Sequence, residues 1–195
     1  WRHDSSQAAG TEWSGWQMSW NSRRPGEQPQ TASVQRSTSS LTPALSTNPS
    51  PHGLMIVFVD TNVWYPVVLA DLVLRSVEIG LFDLAWTDES LAEVERVLVE
   101  RKGLSARSAA VFGEQVRATA PAGRIDFAVY DTLVAAMTGP DPDDHVHAAA
   151  ARGGRVDVLL TSNVADFPEG DVGPNCRVLN PGELFRDLVV TYPLE

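Results

Sequence analysis

The pattern of hydrophobic and polar positions divides the chain near residue 54. Residues 1–54 are rich in Ser, Gln, Pro, Thr, Gly and Asn, and they show neither a helical nor a strand period. Such a segment cannot bury enough apolar area to offset the entropy that it loses on ordering. We therefore predict that 1–54 is a disordered or non-native N-terminal extension, with Met55 as a natural start site. Residues 55–190 are predicted to form one domain.

Short apolar runs after residue 54 predict strands, and the run from Met55 to Asp60 is the clearest. It is rich in β-branched residues, which suits a strand buried on both faces of a parallel sheet. Further strands are predicted at 81–86, 124–129, 156–161 and 176–179.

Apolar positions at helical spacing separate these strands. In 88–101 they fall on one face, and Gly103 follows as a stop signal. The predicted helices cover 64–80, 88–101, 105–118, 143–152 and 181–188. Strands that alternate with helices predict a three-layer α/β/α domain with a central parallel sheet.

Charge and cysteine content narrow the classes of function. The formal net charge is −10, and because 1–54 carries +1, the remaining residues carry −11. This argues against broad neutralisation of nucleic-acid phosphates, but it accommodates an acidic metal site, since clustered carboxylates need cations. The single cysteine, Cys176, excludes an intramolecular disulfide. No run reaches the roughly 20 apolar residues of a membrane helix. We expect a cytoplasmic protein that does not associate with membranes.

Polar residues follow two of the predicted strands directly. Asp60 comes after the first strand, and Thr161 and Asn163 lie at and beyond the end of strand 156–161. Ligands of open parallel sheets bind beyond the carboxyl ends of the strands, so these residues are predicted to share one cleft. An aspartate at such a position also commonly caps a helix, which is the simpler interpretation of Asp60 alone.

Carboxylates recur at two further places. Asp141, Asp143 and Asp144 open the alanine-rich helix, and three carboxylates in four positions exceed what a helix dipole requires. They repel one another unless a cation is near. Glu93 lies beside the apolar face of helix 88–101, where a partly buried carboxylate needs a partner or a metal ion.

Two histidines follow the aspartates, and histidine is a common ligand of zinc. His145 and His147 are two positions apart near a helix start, so they do not share a helical face, and no cysteine pair accompanies them. The oxygen donors nearby suit magnesium or manganese instead.

Four motifs, in this order and spacing, resemble those of the PIN domain family. They are Val59–Val63, Ser90–Leu98, Asp141–Val146 and Leu160–Pro168. The resemblance covers about residues 55–185 and is strongest to the bacterial branch that includes toxin-type ribonucleases of toxin–antitoxin operons. It implies a Mg²⁺- or Mn²⁺-dependent ribonuclease whose partners are RNA, a possible cognate antitoxin and a possible second copy of the chain.

The resemblance also assigns the site residues. The third acid is Asp143 or Asp144, and Asp143 is preferred because Val146 and Ala150 then continue the family's helix pattern. The fourth position carries Asn163 where the family usually has Asp, which leaves open whether one metal ion or two are bound. The expected catalytic residues are Asp60, Glu93, Asp143 and Asp166. The expected metal ligands are Asp60, Glu93, Asp143, Asp144 and Asn163, and Asn62 and Thr161 are expected to support ligands and substrate.

Two other functions compete with this interpretation. A catalytically weak or inactive PIN-like module that binds RNA or a protein is favoured by Asn163 and opposed by the retained acids. A phosphatase that forms an aspartyl phosphate is disfavoured, because that chemistry requires a second Asp two residues after the first, where this chain has Asn62.

Overall fold

The computed structural model describes residues 53–191, so the predicted extension 1–54 lies almost entirely outside the described residues. Four parallel strands form one sheet in the order β2-β1-β3-β4. The strands are β1 (Ile56–Val59), β2 (Asp83–Ala85), β3 (Val158–Leu160) and β4 (Arg177–Leu179). The first and third strands lie side by side in the centre, so their carboxyl ends meet at one edge of the sheet.

Helices occupy the connections between the strands. They are α1 (Val67–Glu78), α2 (Asp88–Lys102), α3 (Ala106–Thr119), α4 (Asp131–Val134), α5 (His145–Gly153), α6 (Glu169–Val172) and α7 (Pro181–Thr191). Short 3-10 turns at Thr61–Val63, Pro142–Asp144 and Val164–Asp166 precede α1, α5 and α6.

The central strands divide the core into two layers, because successive side chains of a strand point to opposite faces. Val57 and Val59 of β1 pack into a cluster with residues of α1, α2, α3 and α7. Phe58 packs on the other face, against the alanines of α5 and residues of α6. The predicted three-layer α/β/α fold with a central parallel sheet is confirmed.

Capping interactions stabilise both ends of α2, the helix that carries Glu93. Thr87 accepts a hydrogen bond from the backbone N–H of Ser90 at 3.0 Å, and the Ser90 hydroxyl accepts one from the Thr87 N–H at 3.1 Å. This reciprocal pair satisfies two backbone donors at the helix start. Gly103 ends the helix with φ +68°, a left-handed conformation that glycine adopts without a steric penalty.

The predicted strand at 124–129 is wrong. A single bridge joins Trp86 to Arg124, after which the chain turns away from the sheet. The Asp126 carboxylate accepts a hydrogen bond from the Ala128 N–H at 3.0 Å, and Phe127–Val129 forms a 3-10 turn. An aspartate that bonds its own nearby backbone competes with a strand ladder, which explains the difference.

Two features complete the fold. The short helices α4 and α6 were not predicted, because each has only four residues and no apolar period to reveal it. Within 53–191, no helix is both long and apolar enough to cross a membrane.

Candidate metal centre

Asp60 is the centre of the site and is only 2% exposed. Its backbone N–H extends the sheet by donating to the Leu160 carbonyl at 2.9 Å, so β3 places the residue directly. Its Oδ2 accepts hydrogen bonds from the Thr161 hydroxyl at 2.7 Å and from the Asn62 amide at 2.5 Å. A carboxylate offers about four acceptor positions, so Asp60 retains capacity beyond these two bonds.

Asn62 and Thr161 join the ends of the two central strands. The Asn62 amide also donates to the Thr161 hydroxyl oxygen at 3.0 Å, and its carbonyl oxygen accepts the Ser162 N–H at 2.8 Å. Because these bonds cross about a hundred positions of sequence, the two loops are held in one fixed register. The structure thus places both residues predicted to support the site against Asp60.

His147 lies between the first two predicted acids. Its side chain is 2% exposed, and its Nδ1 lies 3.1 Å from Asp60 Oδ1. Its Nε2 lies 3.2 Å from Glu93 Oε2, but this contact is misaligned, and Nε2 has no hydrogen-bond partner among residues 53–191. Burial alone would lower the pKa of His147; the interactions with Asp60 and Glu93 outweigh it and raise the pKa to about 9.

Glu93 reaches the same point from α2, with a side chain that is 35% exposed. Its nearness to His147 is the largest cause that lowers the pKa of its carboxyl group below the ordinary value, and Thr61 and Arg96 add to this effect. The Thr61 hydroxyl beside it is also buried and has no aligned partner among the described residues. Two buried polar atoms without an aligned partner therefore adjoin Glu93.

Asp144 completes a group that we call the Asp60 cluster, which consists of Asp60, Asp144 and His147. One potential ligand atom from each residue lies within 4.8 Å of the others. Burial is the largest cause that raises the pKa of Asp144, to about 6, and the Asp60 carboxylate adds to it. Two carboxylates at this distance repel each other, which is the condition that a bound cation relieves.

Asp143, the preferred third acid, is not brought into this cluster. It is exposed, and its backbone N–H donates to the Asp141 carboxylate at 3.0 Å as part of the turn that starts α5. The geometry favours Asp144 for the third acidic position. The reason is local: residues 142–144 form a 3-10 turn, whose rotation of about 120° per residue shifts the register read from an α-helical pattern.

The fourth acidic position is the least defined. Asn163 is exposed, and its backbone N–H donates to the Thr161 hydroxyl oxygen at 3.0 Å. Asp166 ends the following 3-10 turn and is half-buried, and its charge contributes to the raised pKa of Asp144. Both residues follow the carboxyl end of β3, yet neither belongs to the Asp60 cluster.

His147 is the site residue that sequence reasoning missed. The helical spacing of three residues between Asp144 and His147 was the available signal, because residues i and i+3 share a helix face. His145 does not reach this site, because its Nε2 contacts the Gly139 carbonyl oxygen at 2.8 Å. The two histidines do not meet at one site.

The donor set fits a divalent cation. Carboxylates of Asp60, Asp144 and Glu93 supply the hard oxygen atoms that Mg²⁺ and Mn²⁺ prefer. The buried polar atoms without an aligned partner next to Glu93 are consistent with a site that completes its contacts on binding a ligand.

Fold and site together define a parallel α/β domain with an acidic, metal-compatible centre at the carboxyl ends of its strands. Residues 56–165, more than half of the chain, match the sequence profile of the PIN domain. The chain belongs to the PIN domain family. No curated protein and no solved structure matches it.

Proposed function

We propose that this chain is a divalent-metal-dependent endoribonuclease that hydrolyses RNA phosphodiester bonds. The observation that carries the proposal is the convergence of Asp60, Glu93 and Asp144, from three different elements, on one buried histidine. Membership of the PIN domain family supports nuclease chemistry. Clustered like charges destabilise a fold unless a cation compensates them, and such clusters occur mainly at functional sites.

In this proposal Asp60, Glu93 and Asp144 hold Mg²⁺ or Mn²⁺. When bound, the cation supplies Lewis-acid stabilisation of phosphate charge and acidifies water. Asn62 and Thr161 orient the Asp60 carboxylate through the bonds described above, so its lone pairs are fixed before a substrate arrives. Fixed orientation of this kind lowers the cost of reaching the transition state.

The surface beside the acids supports a nucleic-acid substrate. The guanidinium of Arg101 lies over the ring of Tyr65, 6.0 Å from its centroid. The carboxylates of Asp60 and Glu93 are close enough to Tyr65 to act on its pKa, which burial, the largest cause, raises. An aromatic face and a cation next to a phosphate-directed centre suit base stacking and backbone contact. Positive charge near the cleft also offsets the acidity of the domain.

Cleavage of RNA by the full chain tests this proposal. Labelled RNAs of varied sequence are incubated in Mg²⁺, in Mn²⁺ and in EDTA, with Asp60→Asn as the matched variant. We expect cleavage that requires metal and falls by at least about 100-fold in Asp60→Asn. Cleavage that persists in EDTA, or that is equal in both proteins, would contradict the proposal.

A second candidate function is a catalytically weak or inactive PIN module that binds RNA or protein. The observation that favours it is the charge of His147: with a pKa of about 9, its imidazolium supplies a cation between Asp60 and Glu93 at neutral pH. Asn163 in place of a fourth carboxylate weakens the attraction for a metal ion further. Intact RNA under every metal condition, together with no calorimetric metal binding, would select this candidate.

We further propose that the enzyme is the toxin of a toxin–antitoxin pair and acts in the cytoplasm. The motif resemblance to toxin-type ribonucleases supports this role. Val68 of α1 and Ile79 directly after that helix are 73% and 66% exposed and provide apolar area for an antitoxin or for a second copy of the chain. Induced expression in a bacterium tests the role: growth arrest by the wild-type chain and not by Asp60→Asn is expected, and equal growth would exclude it.

A further inference from the structure

Among the described residues, the buried imidazole of His147 is the strongest feature that the carboxylate chemistry leaves unused. Three buried side-chain polar atoms in 53–191 have no hydrogen-bond partner, and two of them, His147 Nε2 and Thr61 Oγ1, adjoin Glu93. A buried polar atom without a partner destabilises the fold. Two of the three atoms therefore lie at the acidic centre, which indicates that a ligand completes their contacts.

The two ring nitrogens of His147 have different environments. Nδ1 lies 3.1 Å from Asp60 Oδ1 and is aligned for a hydrogen bond, so the Nδ1–H group donates to the Asp60 carboxylate. The other nitrogen, Nε2, faces Glu93 Oε2 at 3.2 Å without hydrogen-bond alignment, and a metal ion that binds there displaces the proton that Nε2 carries in the imidazolium form. A histidine that binds a metal through one nitrogen usually donates its other N–H to a carboxylate in this way.

We propose that His147 binds the metal ion of the proposed nuclease through Nε2 and that this nitrogen makes the site prefer Mn²⁺ to Mg²⁺. Asp60 orients the imidazole through Nδ1, and Glu93 and Asp144 would supply oxygen ligands. The inference rests on the proposed metal-dependent function, but it concerns which atoms bind the ion and which ion is preferred. Imidazole nitrogen binds transition ions more strongly than it binds Mg²⁺, which favours oxygen ligands.

Electron spin-echo envelope modulation of Mn²⁺ bound to the full chain tests the ligand directly. Modulation from a directly coordinated ¹⁴N is expected, and it changes to the ¹⁵N pattern when the chain is labelled with ¹⁵N-histidine. This measurement needs no substitution, so it does not depend on the stability of a variant. Bound Mn²⁺ without nitrogen modulation would overturn the inference and leave the metal-dependent function standing.

Two variants identify which histidine is responsible. His147→Gln removes the proposed ligand. His145→Gln is the matched control, because His145 is the first residue of the same helix and contacts the Gly139 carbonyl oxygen instead. The nitrogen modulation is expected to vanish in His147→Gln and to remain in His145→Gln. The opposite result would show that His147 is not the ligand.

Calorimetry with Mn²⁺ and Mg²⁺ tests the preference between ions. His147→Gln is expected to weaken Mn²⁺ binding on the order of tenfold or more and Mg²⁺ binding less, so that the ratio of the two affinities falls. His145→Gln should preserve the wild-type ratio. An equal loss for both ions in His147→Gln overturns the selectivity, and no binding of either ion to the wild-type chain overturns the inference and the proposed function together.

Discussion

Asp60 and Asp171 are both buried aspartates, and their surroundings differ in a way that separates a functional carboxylate from a structural one. Asp171 accepts the backbone N–H groups of Thr138 and Gly139 at 2.6 and 2.9 Å and the Thr138 hydroxyl at 3.0 Å. All three donors come from two adjacent residues of one loop. Asp60 instead meets side chains from three separate segments, and a second carboxylate, Asp144, lies close by.

The electrostatic outcome differs accordingly. Burial acts to raise the pKa of Asp171, but the hydrogen bonds from Thr138 and Gly139 outweigh it and lower the pKa below its ordinary value. Near Asp60, burial and like charge instead raise the pKa of Asp144 to about 6. Hydrogen-bond donors, mainly from the backbone, stabilise the charge of the Asp171 carboxylate. The Asp60 cluster holds negative charge that a cation would stabilise further. Burial alone does not distinguish the two.

Neighbouring aspartates provide the sharpest way to break this comparison. Asp144→Asn should weaken Mn²⁺ binding by about 10- to 100-fold, whereas Asp143→Asn should change it by no more than about twofold. The reason is that Asp144 lies in the Asp60 cluster and Asp143 is exposed. Calorimetric titration of both variants measures the difference. A larger loss in Asp143→Asn would restore Asp143 as the third acid.

Removal of the Asp171 carboxylate should affect stability and not metal binding. Asp171→Asn is expected to lower the free energy of unfolding by about 2 kcal/mol, because its amide nitrogen then faces the N–H groups of Thr138 and Gly139 and cannot accept from them. Asp187→Asn is the control, since Asp187 forms an exposed ion pair with Arg177 and should cost at most about 1 kcal/mol. Urea unfolding measures both. Equal losses of stability in the two variants would show that the hydrogen bonds from Thr138 and Gly139 to Asp171 add no stability.

The pH dependence of stability sharpens the same contrast. A lowered pKa in the folded state means that the Asp171 carboxylate contributes stability above its unfolded pKa of about 3.8 and that this contribution is lost as the pH falls through the folded value. The stability difference between wild type and Asp171→Asn should therefore have its full size above about pH 5 and shrink as the pH falls from there towards pH 3. Urea unfolding at several pH values measures it, and a constant difference would contradict the assignment.

A smaller effect is expected where the Asp60 region meets substrate. Arg101→Gln removes the cation over Tyr65 and should raise KM for RNA by a factor of about three to ten with little change in kcat. Arg107→Gln is the control, because Arg107 is exposed at the start of α3. Steady-state cleavage kinetics give both constants. A fall in kcat alone would move Arg101 from substrate binding to another role.

The sequence was sufficient to predict the sheet and the cleft, because both depend on short-range patterns. The apolar run before Asp60 and the strand before Thr161 place both residues at carboxyl ends of a parallel sheet, where the structure joins them by a hydrogen bond. The prediction of a strand at 124–129 was wrong, because its apolar residues form a turn that Asp126 starts. The alternation of apolar and polar residues does not reveal such a turn.

The details of the centre were harder to predict, because they depend on contacts distant in sequence. His147 meets Asp60 across 87 positions, and a single histidine in an alanine-rich helix has the pattern of an ordinary buried residue. The choice between Asp143 and Asp144 depended on whether the first turn was α-helical or 3-10. Only the three-dimensional arrangement decides such questions of rotation.

Calorimetric titration of Mn²⁺ into the full wild-type chain, Asp60→Asn and Asp171→Asn is the most direct test of the central claim. That claim is that the Asp60 cluster is a metal centre, whereas the Asp171 carboxylate is structural. We predict binding to the wild type, loss of binding in Asp60→Asn, and binding to Asp171→Asn equal to the wild type under conditions where it is folded. Undiminished binding to Asp60→Asn, or no binding to the wild type, would contradict the claim.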